Sequence, residues 1–83
     1  MTTHYVTFYG YYADINSIPD SYGVYIAYTF NRCTKYLTRL VYIGKAKDQT
    51  LQERISQHIQ TGDLDYLAKD GEGFCFAYAA LNK

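Results

Sequence analysis

Two tyrosines, an arginine and a histidine stand at positions from which phosphate chemistry can be built. Tyr25 closes the triplet Gly23-Val24-Tyr25, Tyr42 opens Tyr42-Ile43-Gly44, and Lys45, Arg54 and His58 follow. A tyrosine hydroxyl has a pKa near ~10, so it serves as a base only beside a cation that favours the phenolate. Lys45 and Arg54 are such cations. Arginine also offers a planar fork that donates two hydrogen bonds to a phosphate and keeps its charge.

The elements that must position these groups are legible in the pattern. Residues 24–30 alternate, with Val24, Ile26, Tyr28 and Phe30 on one face and Tyr25, Ala27 and Thr29 on the other, the period of a strand. Both faces look coverable. After a polar, partly basic connection over 31–38, residues 39–44 return as the antiparallel partner and stop at Gly44. Gly23 and Gly44 are read as turn glycines bounding these strands.

The stretch 48–60 predicts a helix. Thr50 with Glu53 three residues on forms a capping box, Leu51, Ile55 and Ile59 recur every fourth residue, and Gly62 suits a left-handed cap. Arg54 and His58 lie one turn apart beside that stripe, where their stems pack and their polar ends stay reachable. Upstream, residues 5–12 favour an edge strand with a bulge or bend at Gly10, and 13–22 form a loop pinned by Ile15 and Ile18. Downstream, 63–69 add a short turn with Leu64 and Leu67 inward. Residues 70–73 break the chain, and 74–81 form the last strand. His4 stands outside the pattern.

Composition bounds the function. Hydrophobic residues at 48% and aromatics at 18% exclude a disordered segment, and 83 residues have room for one domain. Eleven tyrosines suit a small sheet with half-exposed faces whether or not they act chemically. Zero formal net charge argues against a protein that coats nucleic acid broadly. Yet between Arg32 and Arg54 six basic residues face only Asp48 and Glu53, which implies a basic face on a neutral body. Lys35, Arg39 and Lys47 are its candidate backbone contacts; solvated surface charge would give the same pattern. Cys33 and Cys75 lack metal-site spacing, and no apolar run reaches the length of a membrane span, so a cytoplasmic protein with reduced thiols and no membrane partner is expected.

Taken together, Gly23-Val24-Tyr25, Tyr42-Ile43-Gly44 and the helix with Arg54 and His58 resemble the GIY-YIG nuclease superfamily, and Tyr42-Ile43-Gly44-Lys45-Ala46-Lys47 is similar to its excision-repair branch. The resemblance runs from residue 23 to about 81 and leaves the first strand outside. It implies an α+β fold, a small mainly antiparallel three-stranded sheet flanked by helices, here with an extra N-terminal edge strand, in a single domain over 1–83. It further implies hydrolysis of a DNA phosphodiester with one divalent metal, usually magnesium. In that scheme Tyr42 or Tyr25 deprotonates or orients the attacking water, Arg54 binds the scissile phosphate, and Lys45 supports the tyrosine or the phosphate. His58 matches a histidine of some family members.

One part of the pattern has no match. The family's metal ligand is a glutamate on a helix after the third strand, and the sequence is expected to lack that helix. Glu53 lies on the far side of the helix, Glu72 in a turn, and Asn82 comes too early. Two outcomes follow: a magnesium-dependent DNA endonuclease, truncated or inactive in this chain, or a non-catalytic nucleic-acid-binding or interaction module on the same scaffold. In the latter, tyrosines would stack on unpaired bases.

Overall fold

The alternation and capping signals become strands and one helix in a computed structural model that describes residues 7–81. The strands are β1 (Tyr9–Tyr12), β2 (Gly23–Asn31), β3 (Leu37–Ala46) and β4 (Glu72–Ala80), and the helix is α1 (Leu51–Thr61). Short 3-10 turns cover Ile15–Ser17 and Asp65–Leu67. The architecture is α+β, with a four-stranded antiparallel sheet ordered β1-β4-β2-β3. The last strand in the sequence therefore lies inside the sheet. β1 sits at one edge, as expected, and its pairing with β4 is irregular between Tyr9 and Tyr12, around Gly10.

Helix α1 begins and ends where its caps dictate. The Thr50 side chain accepts from the Glu53 backbone N–H while the Glu53 carboxylate accepts from the Thr50 backbone N–H, and Gly62 closes the helix at φ 66°. Its buried residues are Leu51, Ile55 and His58. At ~100° per residue His58 lies about 20° from Leu51, whereas Ile59 lies about 80° away on the other side, so His58 completes the inward stripe. Ile59 is left exposed.

The main core cluster lies on the α1 side of the sheet. Ile18, Tyr25, Ala27, Ala46, Leu51, Ile55, Leu64 and Phe76 form a single buried cluster between the sheet and α1. Cross-strand register fixes which side chains share that face: Tyr25 opposes Gly44 and Tyr78, and Ala27 opposes Tyr42 and Phe76.

Several expectations change in detail. The helices expected to flank the sheet reduce, among the described residues, to α1 on one face. The faces of β2 divide as their alternation indicates, but only the Tyr25 face is fully buried, the other being half-buried. β3 runs through Gly44 to Ala46, because that glycine pairs with Tyr25 in mid-ladder and terminates nothing. Gly23 is likewise the first residue of β2, where a side chain would strike the Ala79 carbonyl. Both glycines therefore answer to close approach and not to turns. Glu72 and Gly73 belong to β4, held there by register with Asn31 and Phe30. β1 is shorter than the 5–12 expectation; residues 5 and 6, His4 and Asn82 lie outside the described residues.

Candidate functional site

Gly44 is the gap around which the site is assembled. A side chain there would overlap the Tyr25 phenol and come within 2.8 Å of the Tyr42 ring, so its absence lets Tyr25 lean across β3. The two rings stack with centroids 6.1 Å apart and planes at 28°. His58 reaches down from α1 onto both: its ring lies 5.3 Å from Tyr42, nearly edge-on, and its Nε2 is 2.7 Å from the Tyr25 hydroxyl.

Asp63 completes the arrangement. The left-handed turn at Gly62 brings the next residue back against the last helical turn, and Asp63 Oδ1 lies 2.8 Å from His58 Nδ1. His58 is 4% exposed and Tyr25 0%, so both imidazole nitrogens find their partners inside the protein. The hydrogen bond with His58 is the main cause holding the Asp63 carboxyl below its ordinary range, so Asp63 is ionised near neutrality. With an anion at Nδ1, that nitrogen carries the proton and donates to Asp63. Nε2 is then left to accept from the Tyr25 O–H.

Tyr25 holds its proton firmly. Burial, reinforced by the neighbouring Tyr42 hydroxyl and opposed by the Arg54 guanidinium, pushes its pKa up to about 12. An independent phenolate at neutral pH is therefore ruled out for this residue; a proton leaving Tyr25 has His58 as its first acceptor. Arg54 is half-buried beside this cluster and donates to the Gln57 side chain over 3.2 Å.

The remaining cations fall elsewhere. Lys45 pairs in register with Val24 and so projects from the opposite face to Tyr25, yet with Lys47 and Arg54 it lines a depression of about 260 Å³ at the end of β3. Asp48 and Gln49 share that lining. Lys35 is at the hairpin tip, at the other end of β2 and β3, with its ammonium 5.8 Å from the centre of the Phe30 ring. Arg39 is turned inward, donating to the Glu72 carboxylate and the Leu67 carbonyl. Tyr25, Tyr42, Arg54 and His58 are thus brought together, while Lys35 and Arg39 stand apart.

Magnesium does not fit the donors present. Glu53 is engaged in the capping box, Glu72 accepts from Arg39 and from the Lys69 backbone, and Asp63 is engaged with His58. Among the described residues no three His, Cys, Asp or Glu side chains gather as a metal-holding group. Asp63 itself escaped the sequence reading. The signal was there: an acid directly after the cap glycine, five residues beyond a histidine at the edge of the helix stripe.

Fold and site together define an α+β protein with a buried tyrosine–histidine pair under its helix, linked to the half-exposed Asp63, and a cationic depression beside it. Compared with known proteins, the chain matches no family model, no curated protein and no solved structure. No described helix is long and apolar enough to cross a membrane.

Proposed function

We propose that this chain is a nucleic-acid-binding module, with DNA as its ligand, on a GIY-YIG-like scaffold whose two triplets lie on β2 and β3. One observation carries the reading: Lys45, Lys47 and Arg54 line a single depression next to the tyrosine pair, in a segment with four more basic than acidic residues. An anionic backbone laid there is held by charge, with Arg54 supplying the two-pronged contact to one phosphate. Tyr25 is sealed from solvent and engaged with His58, so the binding surface is the cationic depression and not the phenol.

Anisotropy titration of a labelled duplex and a labelled single strand tests this. Affinity is expected to fall linearly with salt on a log–log plot, and Arg54→Ala should flatten the slope by about one unit, as losing one phosphate contact does. Absence of binding at low salt removes the reading.

Hydrolysis is the second reading, favoured by the Tyr25–His58–Asp63 chain, which offers a route for a proton out of the site. Lys35, Arg39 and Lys47 enter neither reading as catalytic groups. A magnesium supplement with a plasmid nicking assay separates the two readings. Cleavage lost in Tyr25→Phe and Asp63→Asn would establish the second, and intact plasmid with retained binding keeps the first. The proton placement is checked independently by imidazole ¹⁵N shifts: His58 should be the Nδ1–H tautomer, and Asp63→Asn should disturb that preference.

A further inference from the structure

Where β1 ends, the sheet has a notch along the outer edge of β4. The Arg32 N–H donates to the Gly71 carbonyl and the Leu81 N–H to the Tyr22 carbonyl, so odd-numbered residues of β4 bond to β2 and even-numbered ones turn their N–H and C=O toward β1. Phe76 and Tyr78 meet Tyr12 and Tyr9 there, and Glu72 is met by the Lys69 carbonyl and by Arg32 Nε. Phe74 lies past the end of β1. Its N–H and C=O have no strand partner among the described residues.

Gly73 opens this notch to side chains from β2. A side chain at 73 would meet the Phe30 ring at 2.9 Å and the Arg32 guanidinium carbon at 3.3 Å, so its absence lets both cross β4. The notch deepens into a cavity of about 270 Å³ whose apolar wall is Phe30, Ile59, Leu64, Phe74 and Phe76. Ile59, which the helix stripe leaves 52% exposed, belongs to that wall. His58 adds only ring carbon to it, because Tyr25 and Asp63 take both its nitrogens. Arg32 and Asp65 bring opposite charges to the lining, and neither has an oppositely charged partner among the described residues.

We infer that the notch binds a free α-amino acid with an apolar side chain. Each part of such a ligand has its counterpart in the lining. The carboxylate answers the Arg32 guanidinium, whose Nε is tied to the Glu72 carbonyl while its Nη atoms form no bond among the described residues. The ammonium answers Asp65, and the side chain answers the apolar wall. The Phe74 N–H and C=O add a donor for the carboxylate and an acceptor for the ammonium. Size agrees: at ~30 Å³ per water the cavity has room for about nine waters, the space of one leucine or phenylalanine and little more. An acid without an amine would leave Asp65 unanswered, and an amine without an acid would leave Arg32 so. Lys45, Lys47 and Arg54 take no part in this lining, so the inference does not depend on what binds the cationic depression.

Titration of the full chain with L-phenylalanine and with L-leucine, followed in ¹H–¹⁵N correlation spectra, provides the test. Hydrocinnamate and phenethylamine serve as the phenylalanine body lacking one charge. The amino acids should give saturable shifts at the Gly73 and Phe74 amides, and each analogue should bind about tenfold or more weakly than L-phenylalanine. Arg32→Gln and Asp65→Asn alter exposed side chains, so far-UV circular dichroism of both variants should match the wild type. Each should weaken L-phenylalanine binding by about tenfold or more. Phenethylamine should be indifferent to Arg32→Gln, and hydrocinnamate to Asp65→Asn. No saturable shift at these amides with either amino acid up to about 10 mM, a range that captures even weak binding, overturns the inference. Analogues that bind as tightly as L-phenylalanine overturn it too, since the notch is then an apolar hole alone. So does an end-blocked tripeptide that binds more tightly at the same amides, which would make the notch an edge for strand pairing.

Discussion

The two faces of this sheet are built from the same strands and differ in nearly every physical respect. On the α1 side, Tyr25, Ala27 and Thr29 are completely buried, and the polar groups are paired, Thr29 with Thr38 at 2.6 Å and Tyr25 with His58. On the other side exposure is uneven: Leu40 and Ile43 of β3 reach solvent, while Val24, Ile26, Tyr28 and Phe30 of β2 are half-buried and Cys75, Ala77 and Ala79 of β4 are buried. Among the described residues every buried side-chain nitrogen and oxygen has a partner, so the helix face tolerates polarity only where a second polar group meets it. The lesson is that the α1 face derives its specificity from paired polar groups, whereas the far face is held by apolar contacts such as Tyr11 against Tyr28.

The largest break of that contrast is Ile55→Ala, which opens a cavity at a fully buried position and should cost about 2–5 kcal/mol in urea unfolding. Next, Gly44→Ala should destabilise by about 1–3 kcal/mol, since its methyl group meets the Tyr25 phenol and forces the ring off its partner. Near-UV circular dichroism should change with it. A smaller, pH-dependent effect sharpens the comparison. The Tyr25 pKa rises from 10.0 to about 12 in the fold, so the unfolded chain loses this proton first. Tyr25 therefore supports the fold fully below pH 10, and that support is lost as pH rises toward about 12; ultraviolet phenolate titration alongside unfolding should show the two together. Smallest of all, Leu40→Gln, at a position 50% exposed, should shift stability by less than about 0.5 kcal/mol in urea unfolding. A large loss there would mean that Leu40 is packed within the fold.

The same division explains what could be read beforehand. Period and capping chemistry are local, so α1, its capping box, Gly62, and the two sides of β2 follow from neighbouring residues. Coverage is not local. Alternation in residues 24–30 separates two sets of side chains, but nothing in those seven residues tells that one helix arrives on a single side. Gly44 shows the same limit: a glycine after an apolar run suggests a stop, while its actual task depends on a phenol nineteen residues earlier leaning over it. For the site, the triplets indicate the tyrosines, and the helix stripe indicates Arg54 and His58. The burial of His58 was hidden by Ile59, a better apolar match at the fourfold spacing, and its link to Asp63 required the turn after Gly62.

The strand order has a consequence for how the molecule is made. Of the four described strands, β4 leaves the ribosome last, and it is the one that joins β1 to β2. A nascent chain can close the β2–β3 hairpin and dock α1, but β1 must wait unpaired until residue 80 has emerged. The sheet is therefore completed by a single insertion at its middle.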